Sequence, residues 1–128
     1  MLNKEIYLDH AATTAVDKRV LNEMLPYFSE NYGNASSVYG IARKSKQAIE
    51  EARERVAKVL NAKSDEIYFT AGGSESDNLA IKGIMHASKR KGNHLITTKI
   101  EHPAVLNTCK KLEKEGYEVT YLNVDKMD

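Results

Sequence analysis

The turn at residues 71–78 (AGGSESDN) carries the most chemically informative pattern in the chain. A predicted strand at residues 66–70 (EIYFT) leads into two glycines, and Ser74 follows where a helix is predicted to begin. Free N–H groups at a helix N-terminus bind anions, phosphate above all, and glycine lets a ligand approach the backbone. Ser74 and Asp77 also fit a capping box, Ser-x-x-Asp. The pattern alone leaves both a phosphate site and a simple connecting turn open.

His102 is the second candidate, in the stretch TTKIEHPAV at residues 97–105. It follows a predicted strand at residues 94–98, and Pro103 behind it suits the first position of a helix. Because ligands bind at the carboxyl ends of parallel strands, we expect His102 and Ser74 at the same edge of the sheet. An imidazole there could stack on a planar ligand or transfer a proton near neutral pH. A surface histidine at a helix entry fits the same pattern and also stays open.

Strands and helices alternate in the second half of the chain, which predicts an α/β fold with a mostly parallel sheet. The expected architecture is an N-terminal helical segment (residues 1–61) followed by the first βαβαβ part of the sheet (residues 62–128). In the first segment, Pro26 should kink or end the first helix. The predicted strands are 66–70, 94–98 and 117–124, the predicted helices are 17–31, 41–60, 75–90 and 103–115, and the apolar face of the 75–90 helix is predicted at Leu79, Ala80, Gly83, Ile84 and Ala87.

Composition and motifs argue against several classes of function. Nineteen Lys and Arg against eighteen Asp and Glu leave a net charge of +1, so no nucleic-acid or membrane partner is predicted. The chain has no apolar run of the roughly 18 residues that a membrane span needs, and its start lacks the apolar core of a secretory signal. The expected location is therefore cytoplasmic. The 71–78 turn matches neither a dinucleotide nor a nucleoside-triphosphate motif.

Metal and thiol chemistry are not predicted either. The four histidines lack the spacing of a zinc helix, so we expect no metal site. The one cysteine, Cys109, lies on the inner stripe of its predicted helix. We therefore expect a buried apolar residue and not a nucleophile.

In series, these stretches resemble the N-terminal part of the cysteine desulfurases, which are class V aminotransferase-like enzymes that use pyridoxal phosphate (PLP). The resemblance runs in order through essentially the whole chain. It is carried by YLDHAATT (7–14), MLPYF (24–28), YGNASSVYG (32–40), EEARERVAKVL (50–60), IYFTAGGSESDNLAIKG (67–83) and TTKIEHPAVLNTC (97–109).

The resemblance implies a fold type I PLP-dependent transferase, usually a homodimer, that converts L-cysteine to alanine and a protein persulfide. The sulfur would pass to an acceptor or scaffold protein for iron–sulfur cluster assembly or another sulfur-transfer pathway. Gly73 and Ser74 match the pair that binds the cofactor phosphate, with Gly-Ser in place of the more usual Ala-Thr. His102 matches the histidine that stacks on the pyridine ring and is proposed to assist proton transfer. Tyr39 stands where many relatives have histidine, and no role is assigned to it.

The family's cofactor-binding lysine, the acidic partner of the pyridine nitrogen and the persulfide-forming cysteine all match positions beyond residue 128. The chain also stops four residues past its last predicted strand, with no helix to cover that strand. The sequence therefore predicts the opening of a larger domain that is inactive alone. Two alternatives stay open: a free-standing phosphate- or cofactor-binding module, and another class V aminotransferase-like enzyme such as a selenocysteine lyase.

Overall fold

The computed structural model describes residues 6–125. The chain divides into two compact units, Met1–Tyr68 and Phe69–Asp128, which are described separately below. Every helix among the described residues is too short or too polar to cross a membrane. The prediction that a PLP-binding domain begins at residue 62 stays a prediction.

The first unit is helical. Helix α1 spans Lys18–Met24, α2 spans Pro26–Ser29 and α3 spans Gly40–Leu60. The Asp17 carboxylate caps α1 by accepting the N–H of Arg19 at 2.8 Å. Pro26 occupies the first position of α2, so the predicted break in the 17–31 helix is confirmed.

The segment before α3 lies close against the first turns of that helix. The Ser45 hydroxyl donates to the carbonyl of Asn31 at 3.0 Å. A Cβ atom placed on Gly33 would lie 2.5 Å from the backbone oxygen of Ile41, well inside van der Waals contact. Glycine at position 33 is therefore needed for this close approach of two backbone segments.

The strand predicted at residues 66–70 is wrong for the described chain. Ser64–Glu66 form a short 3₁₀ helix, and residues 67–70 pair with neither strand that the structure describes. Ile67 has extended dihedrals (φ −101°, ψ 124°), but its carbonyl accepts the Arg53 guanidinium. The sequence pattern therefore indicates the extended backbone of Ile67 correctly. A β-strand, however, also requires a neighbouring strand to pair with.

The second unit contains a parallel βαβ arrangement. Helix α4 spans Gly73–Ala87, strand β1 His94–Thr98, helix α5 Pro103–Lys114 and strand β2 Glu118–Leu122. β1 and β2 pair in parallel, in a register that runs from His94 opposite Glu118 to Thr98 opposite Leu122. The α/β class and the parallel sheet are confirmed, with two strands among the described residues where three were predicted.

The core of this unit lies between α4, α5 and the sheet. Met85, Leu112 and Tyr117 form the buried cluster, with Ile81 and Leu95 packed against it. Cys109 is 0% exposed, which confirms its predicted burial, and desolvation raises the pKa of its thiol.

Helix α4 packs on α5 through a different face from the predicted one. Leu79 and Ile84, on the predicted apolar face, are 53% and 66% exposed. Ile81 and Met85 make the apolar contact instead. Apolar residues occur on two sides of this helix, so periodicity alone does not show which side faces its neighbour.

Candidate functional site

The N-terminus of α4 lacks a side-chain cap. The helix begins at Gly73 with Gly72 as its N-cap, and Ser74 is its second residue. The predicted capping box of Ser74 and Asp77 is therefore wrong, because the helix starts earlier than the pattern suggested. Within the described chain, no acceptor binds the backbone N–H of Gly73 or Ser74. These two donors and the Ser74 hydroxyl are available to a ligand.

The side chains around this turn are engaged elsewhere. The Glu75 carboxylate accepts the N–H of Ala71 at 2.7 Å, and the hydroxyls of Thr70 and Ser76 are 2.6 Å apart. A Cβ atom on Gly72 or Gly73 would meet nothing within 4 Å. The turn thus presents free donors beneath open space, and its nearest carboxylate is held by the preceding backbone.

His102 is the N-cap of α5. Its Nδ1 accepts the N–H of Ala104 at 3.1 Å, and Pro103 at the first helical position has no N–H to satisfy. Because a backbone N–H can only donate, Nδ1 carries no proton in this bond, and Nε2 carries the proton of the neutral ring. The backbone therefore holds Nδ1 of His102, while its Nε2–H is available to donate to a ligand.

Ser74 and His102 line one groove between α4 and α5, within the second unit. The groove encloses about 470 Å³, a volume within the usual range for small-molecule sites. Its charged residues are Lys82 and Lys111, and among residues 6–125 no carboxylate lines it. The Nζ atom of Lys111 also lies 3.5 Å from Oε1 of Glu115. A groove with free N–H donors, a hydroxyl and two ammonium groups favours an anionic ligand.

Sequence reasoning missed Asn78 and Lys82, which line the same groove. The signal was present in their spacing, because Ser74, Asn78 and Lys82 follow one another at intervals of four residues. Residues spaced in this way lie on one face of a helix. The Gly-Gly-Ser pattern indicates the turn and not the helix face that follows it.

The other histidines make contacts within the fold. His86 Nε2 lies 3.0 Å from a Glu115 oxygen, and this hydrogen bond lowers the pKa of Glu115. His94 Nε2 lies 2.8 Å from the Thr120 hydroxyl. Across the residues that the structure describes, no group of three or more His, Cys, Asp or Glu side chains could hold a metal ion.

The sequence and the fold belong to a known class of protein. The model of the aminotransferase class-V family matches residues 6–128, and the chain therefore belongs to that family. Among curated relatives, the cysteine desulfurase IscS of Clostridium botulinum is 60% identical over 124 residues, which are 97% of this chain and 31% of that protein. The IscS of Methanosarcina thermophila is 58% identical over the same shares of the two chains.

Solved structures agree with this assignment. A NifS-like protein superposes with a TM-score of 0.85 at 42% identity, over 93% of this chain and 33% of that one. The protein SspA in complex with cysteine superposes with a TM-score of 0.82 at 49% identity, over 91% of this chain and 33% of that one. The chain thus spans about a third of the length of the relatives it matches.

Proposed function

We propose that this chain supplies the phosphate-binding turn and the ring-stacking histidine of a PLP-dependent cysteine desulfurase. The observation that carries the proposal is the groove in which the free donors of the α4 N-terminus and the His102 ring occur together. The high identity to IscS proteins across nearly the whole chain supports the same function.

The residues present fit the two ends of PLP. The N–H groups of Gly73 and Ser74 and the Ser74 hydroxyl would bind the phosphate. The positive charges of Lys82 and Lys111 would stabilise the negative charge of the phosphate. The neutral, backbone-held ring of His102 would stack on the pyridine ring. When bound, PLP supplies an electron sink for the amino-acid substrate.

The N-termini of α4 and α5 differ in whether their backbone N–H groups are free to bind an anion. The end of α5 is closed by His102 and Pro103, so it has no free donor for a second anion at its first turn. The end of α4 is open, which directs an anion to Ser74. The Nε2–H of His102 would donate to the ligand while Nδ1 accepts from Ala104, and the ring would take up a further proton at Nδ1 by releasing that bond.

For the whole protein, the proposal is conversion of L-cysteine to alanine with transfer of the sulfur to a protein thiol. The named complex of SspA with cysteine supports cysteine as the substrate class. We further propose a cytoplasmic homodimer that delivers sulfur to an acceptor or scaffold protein for iron–sulfur cluster assembly. A selenocysteine lyase would use the same turn and the same histidine.

Ser74→Asp in the intact enzyme tests the phosphate assignment. The carboxylate would face the phosphate at close range, and like charges about 4 Å apart repel by about 4 kcal/mol near a protein surface. We expect the Kd for PLP to rise about 100-fold or more, against about tenfold for Ser74→Ala, which loses only one hydrogen bond to a charged group. Titration of the apo-enzyme with PLP, followed by the absorbance of the bound cofactor, measures both values.

Gly73→Ala is the matched steric control. Its Cβ atom meets nothing within 4 Å, and alanine is the residue more usual in the resembling family. We expect wild-type affinity for PLP in this variant. Equal affinities of the wild type and Ser74→Asp would reject the phosphate assignment.

A further inference from the structure

The side chain of Asn78 makes three hydrogen bonds next to the open turn. Its Nδ2 donates to the carbonyl of Ser74 at 2.8 Å. Its Oδ1 accepts from Lys82 Nζ at 2.5 Å and from the Thr108 hydroxyl at 2.8 Å. Asn78 therefore joins the first turn of α4 both to the next turn of its own helix and to α5.

The hydrogen bond between Thr108 and Asn78 connects the helix that begins next to Ser74 to the helix that begins after His102. Thr108 lies six residues after His102 in a 12-residue helix, so the position of one fixes the position of the other. On α4, Asn78 lies one turn after Ser74 and holds its carbonyl. The Asn78 side chain thus connects, by hydrogen bonds, the turn that bears the open N–H groups to the helix that His102 caps.

Burial alone does not account for this arrangement. Thr108 is 3% exposed, yet a helical threonine can satisfy its hydroxyl with a carbonyl of its own preceding turn. Lys82 is half-buried beside the groove, where its ammonium group could also be hydrated. Both donors instead converge on the one oxygen of Asn78, the residue that also binds Ser74.

We propose that Asn78 is a positioning residue that sets the separation between the Ser74 turn and His102. This inference rests on the proposed function, because the phosphate and the ring of PLP are joined by a short CH2–O link and must be bound at the same time. A displacement of one helix along the other would lose one of the two contacts. Thr108 and Lys82 act through Asn78.

Thr108→Val tests the proposal in the intact enzyme, because it keeps the shape of the side chain and removes its donor. We expect the Kd for PLP to rise about fivefold, as for the loss of one hydrogen bond, and Thr108→Ser to restore the wild-type value. The ³¹P resonance of the bound cofactor should shift in Thr108→Val and not in Thr108→Ser. In the double variant with Asn78→Ala, Thr108→Val should have no further effect, since the two residues act as a unit.

His86→Gln is the matched control at the other end of the same helix pair. It changes the contact between α4 and Glu115, which follows α5. PLP affinity and the ³¹P resonance should stay at their wild-type values in this variant. If His86→Gln weakens PLP binding as much as Thr108→Val does, general packing of α4 on α5 is responsible for the loss of affinity. The positioning role is then overturned.

Two further outcomes would also contradict the inference, and they separate it from the proposed function. In the first, Thr108→Val, Thr108→Ser and the wild type have equal Kd values for PLP, while Ser74→Asp still weakens PLP binding. This result would overturn the positioning role alone. Wild-type affinity in Ser74→Asp would overturn the phosphate assignment, and the positioning role with it.

Discussion

Replacing His102 by asparagine is expected to lower cysteine desulfuration by the intact enzyme about 100-fold or more, because the side chain that would move the proton is removed. Helix α5 should keep its stability, since asparagine is a strong N-cap and its oxygen can accept the Ala104 N–H that Nδ1 accepts now. Steady-state release of alanine from cysteine and thermal unfolding of the same samples measure the two effects.

His102→Ala separates the chemistry from the cap. It removes the ring and the acceptor together, so we expect the same loss of activity and an additional loss of about 1 kcal/mol of stability. Full activity per folded molecule in His102→Asn would show that His102 is only a cap. Partial activity in the asparagine variant that is absent from the alanine variant would assign the effect to the position of α5.

Gly33→Ala is expected to give the largest loss of stability, about 3 kcal/mol, because the new methyl group would lie 2.5 Å from the Ile41 oxygen. Backbone atoms of α3 cannot move aside in the way that a flexible side chain can. Urea unfolding of the intact protein, monitored by circular dichroism, measures the change.

Gly40→Ala provides the comparison for Gly33→Ala. Gly40 begins α3, and a Cβ atom there meets nothing within 4 Å. We expect unchanged stability or a gain of up to about 1 kcal/mol, since alanine is the better helix former. Equal stabilities of the two variants would contradict the close approach at Gly33.

The sequence predicted elements best where the signals are local. Strand β1 and helix α5 occur close to their predicted ranges, since β propensity, Pro103 and a helical stripe agree there. The strand at residues 66–70 failed because pairing depends on another segment of chain, which local pattern does not describe.

The sequence predicted that the two candidate residues lie close together, but not the contacts that connect them. The sequence predicts Ser74 and His102 at one sheet edge, and the structure brings both into one groove, although residues 67–70 before Ser74 pair with neither described strand. The dual role of His102 as cap and groove residue, and the three bonds of Asn78, depend on side-chain geometry. No spacing rule specifies which of several donors an amide will bind.

Because Cys109 is buried, the reactivity of its thiol reports local opening of the folded chain around α5. Alkylating reagents attack an accessible thiolate, and this thiol is 0% exposed with a raised pKa. Its modification therefore has to wait for a transient separation of α5 from the structure that covers it. When reclosing is fast, the labelling rate measures the equilibrium population of that open state. A probe for fluctuations of the α5 region is thus already present at position 109, without any introduced label.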